Sequence, residues 1–171
     1  MVAVVIDDMG VDEARSQSVL GLPGPLTLSF LTYADDLATW VTRARTAGHE
    51  VLAHIPMEPL DAAHDPGPGS LRVAMNAAEA RAQLAAGLDG WSGYVGVNNH
   101  MGSRFCQNRA LMDALMAELK SRGLLWLDSK TIAATEGMAA AEAAHVPCLV
   151  RDVFLDHVDS VDAVRTQLEQ L

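Results

Sequence analysis

Cysteine is scarce in this sequence, and each of several further absences excludes a class of protein. Cys106 and Cys148 are the two cysteines among 171 residues, and they lie far apart outside any Cys-x-x-Cys arrangement. A disulfide framework is therefore excluded. No apolar run approaches the ~20 residues that span a bilayer, so no membrane span is expected. No signal peptide precedes the first apolar run. Because Met1 lies directly before that run, we expect the natural protein to begin upstream, and the sequence leaves its localisation open.

Positive charge is also in short supply. Lys and Arg total 12 against 22 Asp and Glu, which gives a formal net charge of −10. Nucleic-acid backbones and anionic membranes attract the opposite sign, so neither partner is expected. A neutral glycan, a peptide or most small molecules remain compatible as substrates. Half of the residues are hydrophobic, and the length fits one domain, residues 1–171, with a real core.

Short β-type runs alternate with helical stretches along the whole chain. The predicted strands cover 2–6, 26–31, 51–53, 93–97 and 124–127, with a sixth inside 148–155. The predicted helices cover 12–20, 34–47, 76–87, 108–122, 135–144 and 160–171, and 59–70 is a long loop. Strict alternation indicates an α/β fold with a parallel sheet. The pattern does not separate an open sheet from a barrel, although the glycine-rich turns typical of open sheets are missing.

Polar side chains collect where the predicted strands end. In parallel α/β folds, ligand sites form at the carboxyl ends of the strands. The predicted ends supply these polar candidates: Asp7, Asp8, His54, Glu58, Asn98, Asn99, His100, Ser103, Arg104, Asp128, Ser129, Lys130, Arg151, Asp152, Asp156 and His157.

Asp8, His54 and His100 together offer the oxygen and nitrogen ligands that Zn²⁺ accepts, with room for a water. Such a site would lower the pKa of the water towards ~7, and Asp7 could orient or deprotonate it. Each residue also has a plainer interpretation. Asp8 could cap the following turn, His54 and His100 could be hydrogen-bonded imidazoles, and Glu58 could brace a loop.

Five segments stand out along the chain: Val-Val-Ile-Asp7-Asp8-Met-Gly10, Gly48-His-Glu-Val-Leu-Ala-His54-Ile-Pro-Met-Glu58-Pro59, Asn98-Asn-His100-Met-Gly-Ser-Arg104, Leu-Asp128-Ser and Arg151-Asp-Val-Phe-Leu-Asp156. Together they resemble the divergent polysaccharide deacetylases, which are relatives of the NodB-type carbohydrate esterases. The resemblance implies a distorted (β/α) barrel of about seven strands. It also implies a hydrolase in which a zinc-bound water removes acetyl groups from N-acetylated sugars of a polysaccharide or peptidoglycan-like substrate.

The resemblance further implies roles for individual residues. By position, Asp7 is similar to the catalytic base, while Asp8 and His54 are similar to the first two metal ligands. The family's second metal histidine is replaced by Glu58, and His100 stands where it could restore the lost ligand. Glu58 is then either a fourth ligand or an acid/base group. Residues expected to line the groove are Asn99, Arg104 and Asp128.

The end of the sequence departs from the family pattern. Divergent members usually carry a further strand with a Gly-His-Pro segment, and no such segment follows here. Either His157 replaces the late histidine that protonates the leaving amine, or the chain is C-terminally truncated. We favour truncation, because a six-stranded sheet leaves exposed edges. The family also suggests a periplasmic or extracytoplasmic location.

Two other functions compete with the metal-dependent hydrolase. A non-catalytic glycan-binding or cell-envelope interaction domain could have kept the fold and lost the chemistry. Phosphoryl transfer through Asp7 is a weaker hypothesis, because Asp-Asp-Met-Gly-Val does not match the Asp-x-Asp-x-Thr pattern of such enzymes.

Overall fold

A computed structural model describes residues 2–171, and its centre is a parallel sheet of six strands. The strands lie side by side in chain order and are β1 (Val5–Met9), β2 (Thr27–Leu31), β3 (Glu50–Met57), β4 (Gly96–Met101), β5 (Leu125–Asp128) and β6 (Cys148–Val150). The predicted α/β class with a parallel sheet is therefore confirmed. Within the described residues the sheet is open, which is consistent with a distorted NodB-like barrel.

Six α-helices connect or follow the strands, and several begin where side-chain caps satisfy the free backbone N–H groups. They are α1 (Glu13–Leu20), α2 (Leu37–Thr46), α3 (Ala77–Asp89), α4 (Arg109–Arg122), α5 (Gly137–Ala144) and α6 (Val161–Leu168). Asn76 and Glu79 form a reciprocal capping box at α3, and Asn108 caps α4. No helix in residues 2–171 has both the length and the apolar character to cross a membrane.

The strand register separates two faces of the sheet. Leu28, Val51 and Val97 belong to the outer face, which packs against the helices as the main hydrophobic core. Because successive side chains alternate between faces, the inner face carries a different set. Its central members are Ser29, Leu31, Leu52, His54, Gly96 and Asn98. The inner face therefore combines buried apolar residues with the polar residues that lead to the candidate site.

Three strands extend beyond the predicted bounds, and this changes the setting of the candidate residues. Strand β1 begins later than expected and includes Asp7 and Asp8, while β3 runs to Met57 and contains His54. Strand β4 begins later and includes His100. The polar residues at these positions hid the strands from a hydrophobicity pattern. Because β3 has hydrogen-bonded partners on both sides, its backbone stays extended through Pro56.

Gly96 shows how closely β4 and β5 approach each other. A Cβ atom at this position would overlap Cγ and Cδ1 of Leu125 and would lie 2.8 Å from its carbonyl oxygen. Glycine at this point of the inner face is therefore required by close packing between neighbouring strands.

We expect Gly96→Ala to lower the free energy of unfolding by about 1–3 kcal/mol, because the added methyl group must displace Leu125 or the backbone. Gly90→Ala is the matched control, since nothing lies within 4 Å of a Cβ there. Urea unfolding followed by circular dichroism measures both variants. Adding Leu125→Ala should recover part of the loss, and strict additivity of the two substitutions would contradict the steric explanation.

Candidate metal site

A local distortion of β1 presents Asp8 to the site. The register between β1 and β2 shifts between Ile6 and Met9, and Asp8 has a φ of 59° in the left-handed region. Met101 is the last residue of β4 and has a φ of 54°, and Lys130, which follows β5, has a φ of 48°. Such backbone conformations are uncommon for residues other than glycine and concentrate at functional sites. Three unusual backbone positions therefore lie where these strands end.

The side chains of Asp8, His54 and His100 converge on one point. Each contributes one potential ligand atom, and these atoms all lie within 4.8 Å of one another. Oδ1 of Asp8 is 2.8 Å from Nδ1 of His100 and 3.3 Å from Nε2 of His54. The two imidazole rings meet edge to face with centroids 5.1 Å apart. His54 is buried, whereas the Asp8 side chain is 61% exposed, so the cluster opens to solvent on one side.

The chemistry of this donor set fits a divalent cation. A carboxylate oxygen and two imidazole nitrogens directed at one point repel one another unless a proton or a cation lies between them. One oxygen and two nitrogens, with an open side for water, is a common catalytic set for Zn²⁺. The structure therefore brings together the three residues that the sequence predicted as metal ligands, and it forms a possible metal-binding cluster.

The same contacts shift two pKa values in the metal-free protein. Hydrogen bonds from His100 and His54 to the carboxylate hold the pKa of Asp8 well below its usual range, against the opposing effect of burial. Burial lowers the pKa of His54, but the charges of Asp7 and Asp8 together outweigh it, so that this pKa is raised. The negative charges around His54 therefore favour its protonated form in the absence of a cation.

Asp7 lies beside the cluster and is held by an amide. Its Oδ1 accepts a hydrogen bond of 2.8 Å from Nδ2 of Asn98 and lies 3.9 Å from Nδ1 of His54. The Asp7 side chain is 39% exposed, so it can reach both the cluster and solvent. This position is compatible with the predicted role as a base, which stays a prediction.

Glu58 lies outside the ligand cluster, and its carboxylate holds two loops together. One oxygen accepts a 2.7 Å hydrogen bond from the backbone N–H of Val73, and the other is 3.3 Å from Nη1 of Arg104. Its carbonyl oxygen also accepts from the backbone of Arg104 and Phe105. These contacts support the loop-bracing interpretation of Glu58, and they give no support to a fourth metal ligand. Arg104 stays about half exposed and free to contact a ligand with its outer face.

Asn99 and Asp128, which were expected to line the groove, are buried and fully engaged. Oδ1 of Asn99 accepts from the backbone of Ser129, and its Nδ2 donates to the carbonyl of Met101. Asp128 accepts from the backbone of Lys130 and from the Thr135 hydroxyl. Because both residues lie in the interior, they hold the loops after β4 and β5, and the predicted substrate contacts have no support in this geometry.

Asn98, a strand-end candidate to which the sequence assigned no role, lies at the centre of the site. It is fully buried and contacts Asp7, His54, Ser29 and Ser129. The missed signal was alternation: in a strand that contains His100, residue 98 shares its face and residue 99 does not. The strand predicted from the hydrophobic pattern ends at residue 97, which leaves both asparagines outside it.

We expect the stability of the metal-free protein to fall as the pH rises above about 6.5. The raised pKa of His54 means that its contribution is present below its ordinary value of 6.5 and is lost as the pH rises through the folded value. The lowered pKa of Asp8 means that its contribution is present above 3.8 and is lost only in stronger acid. Thermal melting with a chelator, from about pH 5 to about pH 9, measures the decline.

Asp8→Asn should make that decline shallower, because it removes one of the charges that raise the pKa of His54. Excess Zn²⁺ should oppose it in the unmodified protein, since a cation stabilises the deprotonated ring. Equal slopes for the unmodified chain and Asp8→Asn would contradict the coupling.

Two curated bacterial proteins are similar to this chain over nearly its whole length. YibQ from Escherichia coli K12, an uncharacterized protein, is 33% identical over 168 residues, covering 98% of this chain and 52% of that protein. An uncharacterized protein from Haemophilus influenzae Rd is 29% identical over 167 residues, covering 98% of this chain and 59% of its own length. The chain thus spans little more than half the length of these curated relatives.

Solved structures agree with the fold. An uncharacterized protein from Agrobacterium tumefaciens C58 superposes with a TM-score of 0.94 at 30% identity, covering 98% of this chain and 69% of that one. A protein from Enterococcus faecalis V583 superposes with a TM-score of 0.67 at 14% identity, over 98% of this chain and 74% of that one, and shares the fold alone. The sequence model of the divergent polysaccharide deacetylases matches residues 4–171. The chain therefore belongs to the divergent polysaccharide deacetylase family.

Proposed function

We propose that this domain is a metal-dependent hydrolase that removes acyl groups, foremost N-acetyl groups, from a glycan. The observation that carries the proposal is the convergence of Asp8, His54 and His100 within 4.8 Å, with the carboxylate of Asp7 beside them. Membership of the deacetylase family supports the reaction class. We propose the same activity for any longer protein that contains this domain.

Asp8, His54 and His100 would hold the cation, with Zn²⁺ as the first candidate. A bound divalent cation supplies Lewis-acid chemistry, polarising an acyl carbonyl and lowering the pKa of water. The two imidazole nitrogens and one carboxylate oxygen suit the intermediate softness of zinc. Because the Asp8 side chain is largely exposed, a substrate can reach the cluster from that side.

Asp7 would accept the proton of the attacking water. Its Oδ1 is anchored by the amide of Asn98, which leaves the second carboxylate oxygen for proton transfer. A general base must lie within hydrogen-bond reach of the proton that it takes, and Asp7 is next to the ligand cluster on the same strand. Amide hydrolysis also needs a proton for the leaving nitrogen, and Asp7 in its protonated form could return one.

The substrate class follows from the family and the charge. A net charge of −10 suits a neutral N-acetylated polysaccharide or peptidoglycan-like glycan better than a polyanion. Arg104, whose half-exposed guanidinium pairs with Glu58, could contact sugar hydroxyls or a carboxylate. A periplasmic or extracytoplasmic location belongs to the same proposal, since such glycans lie outside the cytoplasm.

A non-catalytic glycan-binding or cell-envelope interaction domain is the second candidate. The observation that favours it is Glu58, which replaces a metal histidine of the family pattern and is occupied by Val73 and Arg104. His157, the possible late acid, lies in an exposed segment beside Phe154, with ring centroids 6.5 Å apart. Under this function the fold and the groove would remain while turnover is lost.

Metal content and turnover test the proposal together. We expect about one Zn²⁺ per chain by elemental analysis after growth with zinc. Asp8→Ala and His54→Ala should lower the affinity at least about 100-fold, because each removes a direct ligand. Asp7→Asn should keep the metal and lower deacetylation of N-acetylglucosamine oligomers or peptidoglycan fragments by about 100-fold or more, because the base is lost.

His64→Ala is the matched control. His64 is an exposed histidine paired with Asp61 at 3.1 Å, away from the cluster, so its removal tests for a general effect of losing an imidazole beside a carboxylate. Metal binding without turnover on any acylated glycan would favour the binding domain. Absence of metal together with unchanged behaviour of Asp8→Ala would rule out the hydrolase.

A further inference from the structure

Asn98 occupies the most enclosed position of the site and uses all of its hydrogen-bonding capacity. It lies on the inner face of β4 directly beside His54 on β3, and it has no exposed surface. Its Oδ1 accepts from the Ser29 hydroxyl at 2.5 Å and is 2.8 Å from Nδ1 of His54. Its Nδ2 donates to Asp7 at 2.8 Å and to the Ser129 hydroxyl at 3.2 Å. Two donors and two acceptor positions are therefore matched.

The carboxylate of Asp7 determines which way this amide faces. An ionised carboxylate only accepts hydrogen bonds, so the NH₂ group of Asn98 must face Asp7. The opposite orientation would place a carbonyl oxygen 2.8 Å from a carboxylate oxygen, where both atoms carry negative charge. The amide oxygen consequently faces His54.

The amide oxygen in turn determines which nitrogen of His54 carries hydrogen. Oδ1 of Asn98 has no proton to donate, so Nδ1 of His54 must be the donor in the 2.8 Å contact. In the neutral ring the lone pair then lies on Nε2, the nitrogen that is 3.3 Å from Oδ1 of Asp8 and points into the ligand cluster. Partners of this kind commonly orient metal-binding histidines.

We propose that Asn98 is a positioning residue that links the metal ligand His54 to the base Asp7. Its amide oxygen determines which nitrogen of His54 faces the cation, and its NH₂ group holds the carboxylate of Asp7. The inference rests on the proposed function for its catalytic meaning. One side chain thereby couples the two halves of the reaction, metal binding and proton transfer. Ser29 on β2 donates to the amide oxygen of Asn98, and Ser129 after β5 accepts from its NH₂ group, so the amide is held at both of its polar atoms.

Asparagine suits this position because its tip both accepts and donates. An aspartate would still accept from Nδ1 of His54, but it would offer no donor to Asp7 and would repel its carboxylate. An alanine would provide neither contact and would leave the buried Nδ1 of His54 without a partner. The two substitutions therefore separate the two parts of the proposed role.

The first test is zinc affinity, measured on the 171-residue chain by competition with a chromogenic chelator. Asn98→Ala should weaken Zn²⁺ binding by about 10–100-fold, the usual effect of removing a partner of a metal-bound histidine. Asn108→Ala is the matched control: it removes an asparagine that caps α4 through Leu111, so it destabilises the fold without touching the site. Unchanged zinc affinity in a folded Asn98→Ala variant would overturn the proposal.

Asn98→Asp provides the second test and keeps the side-chain shape. We expect zinc affinity within about threefold of the unmodified protein, because the acceptor for His54 remains, and turnover lowered by about tenfold or more, because Asp7 loses its donor. Unchanged turnover with unchanged affinity would contradict the link to Asp7. Should Asn98→Ala fail to fold, this variant decides the question.

Nitrogen-15 NMR of the His54 ring gives a readout that does not depend on metal or activity. The neutral ring should carry hydrogen on Nδ1 in the unmodified protein and shift towards Nε2–H in Asn98→Ala, where Asp8 is the remaining acceptor. A neutral His54 ring in the unmodified protein with hydrogen on Nε2 and none on Nδ1 would refute the role of Asn98. Failure to bind zinc would instead remove the proposed function, and the NMR result would still decide the orientation of the ring.

Discussion

The parallel pairing of β3 with β4 is the constraint on which the site depends. Six consecutive register pairs, from Leu52 with Gly96 to Met57 with Met101, bring His54 directly beside Asn98. Neighbouring strands lie about 4.8 Å apart, so a slip of one residue would turn one of these side chains to the helix-covered face. The outer face is filled by the main core, and its burial therefore fixes the register that assembles the polar inner face.

Rigid strands alone do not complete the cluster, because Asp8 reaches it through a distorted backbone. The register shift in β1 and the left-handed conformation of Asp8 direct a side chain towards His54 and His100 that a regular strand would direct elsewhere. Strain of this kind persists only where surrounding contacts maintain it. The hydrogen bond from the backbone of Gly10 to the buried Ser16 hydroxyl is one such contact just after the distortion.

Glu58 shows how a change at one position can redistribute roles in a family site. By position, Glu58 corresponds to a metal-binding histidine of the family pattern. Its carboxylate instead binds the backbone of Val73 and the side chain of Arg104, and so connects the long loop after β3 to the segment after β4. Nδ1 of His100, on β4 next to the strand that leads to Glu58, lies 2.8 Å from Oδ1 of Asp8. A carboxylate paired with an arginine and a backbone amide is well satisfied where it is, so the histidine is the better placed ligand.

Local sequence patterns were sufficient to predict the α/β class, the order of strands and helices, the helices beginning near Asn76 and Asn108, and the three clustered residues. Hydrophobic runs, capping residues and strand-end polar groups are local signals, and they survive without knowledge of the fold. Tertiary structure decided the extent of β3 and β4, the inward side of Asn98 as opposed to Asn99, and the bracing role of Glu58. The extent of the strands and the role of Glu58 depend on partners distant in sequence, such as Arg104, which no local pattern encodes. Once β4 reaches His100, alternation places Asn98 on the inner face, where it binds Asp7.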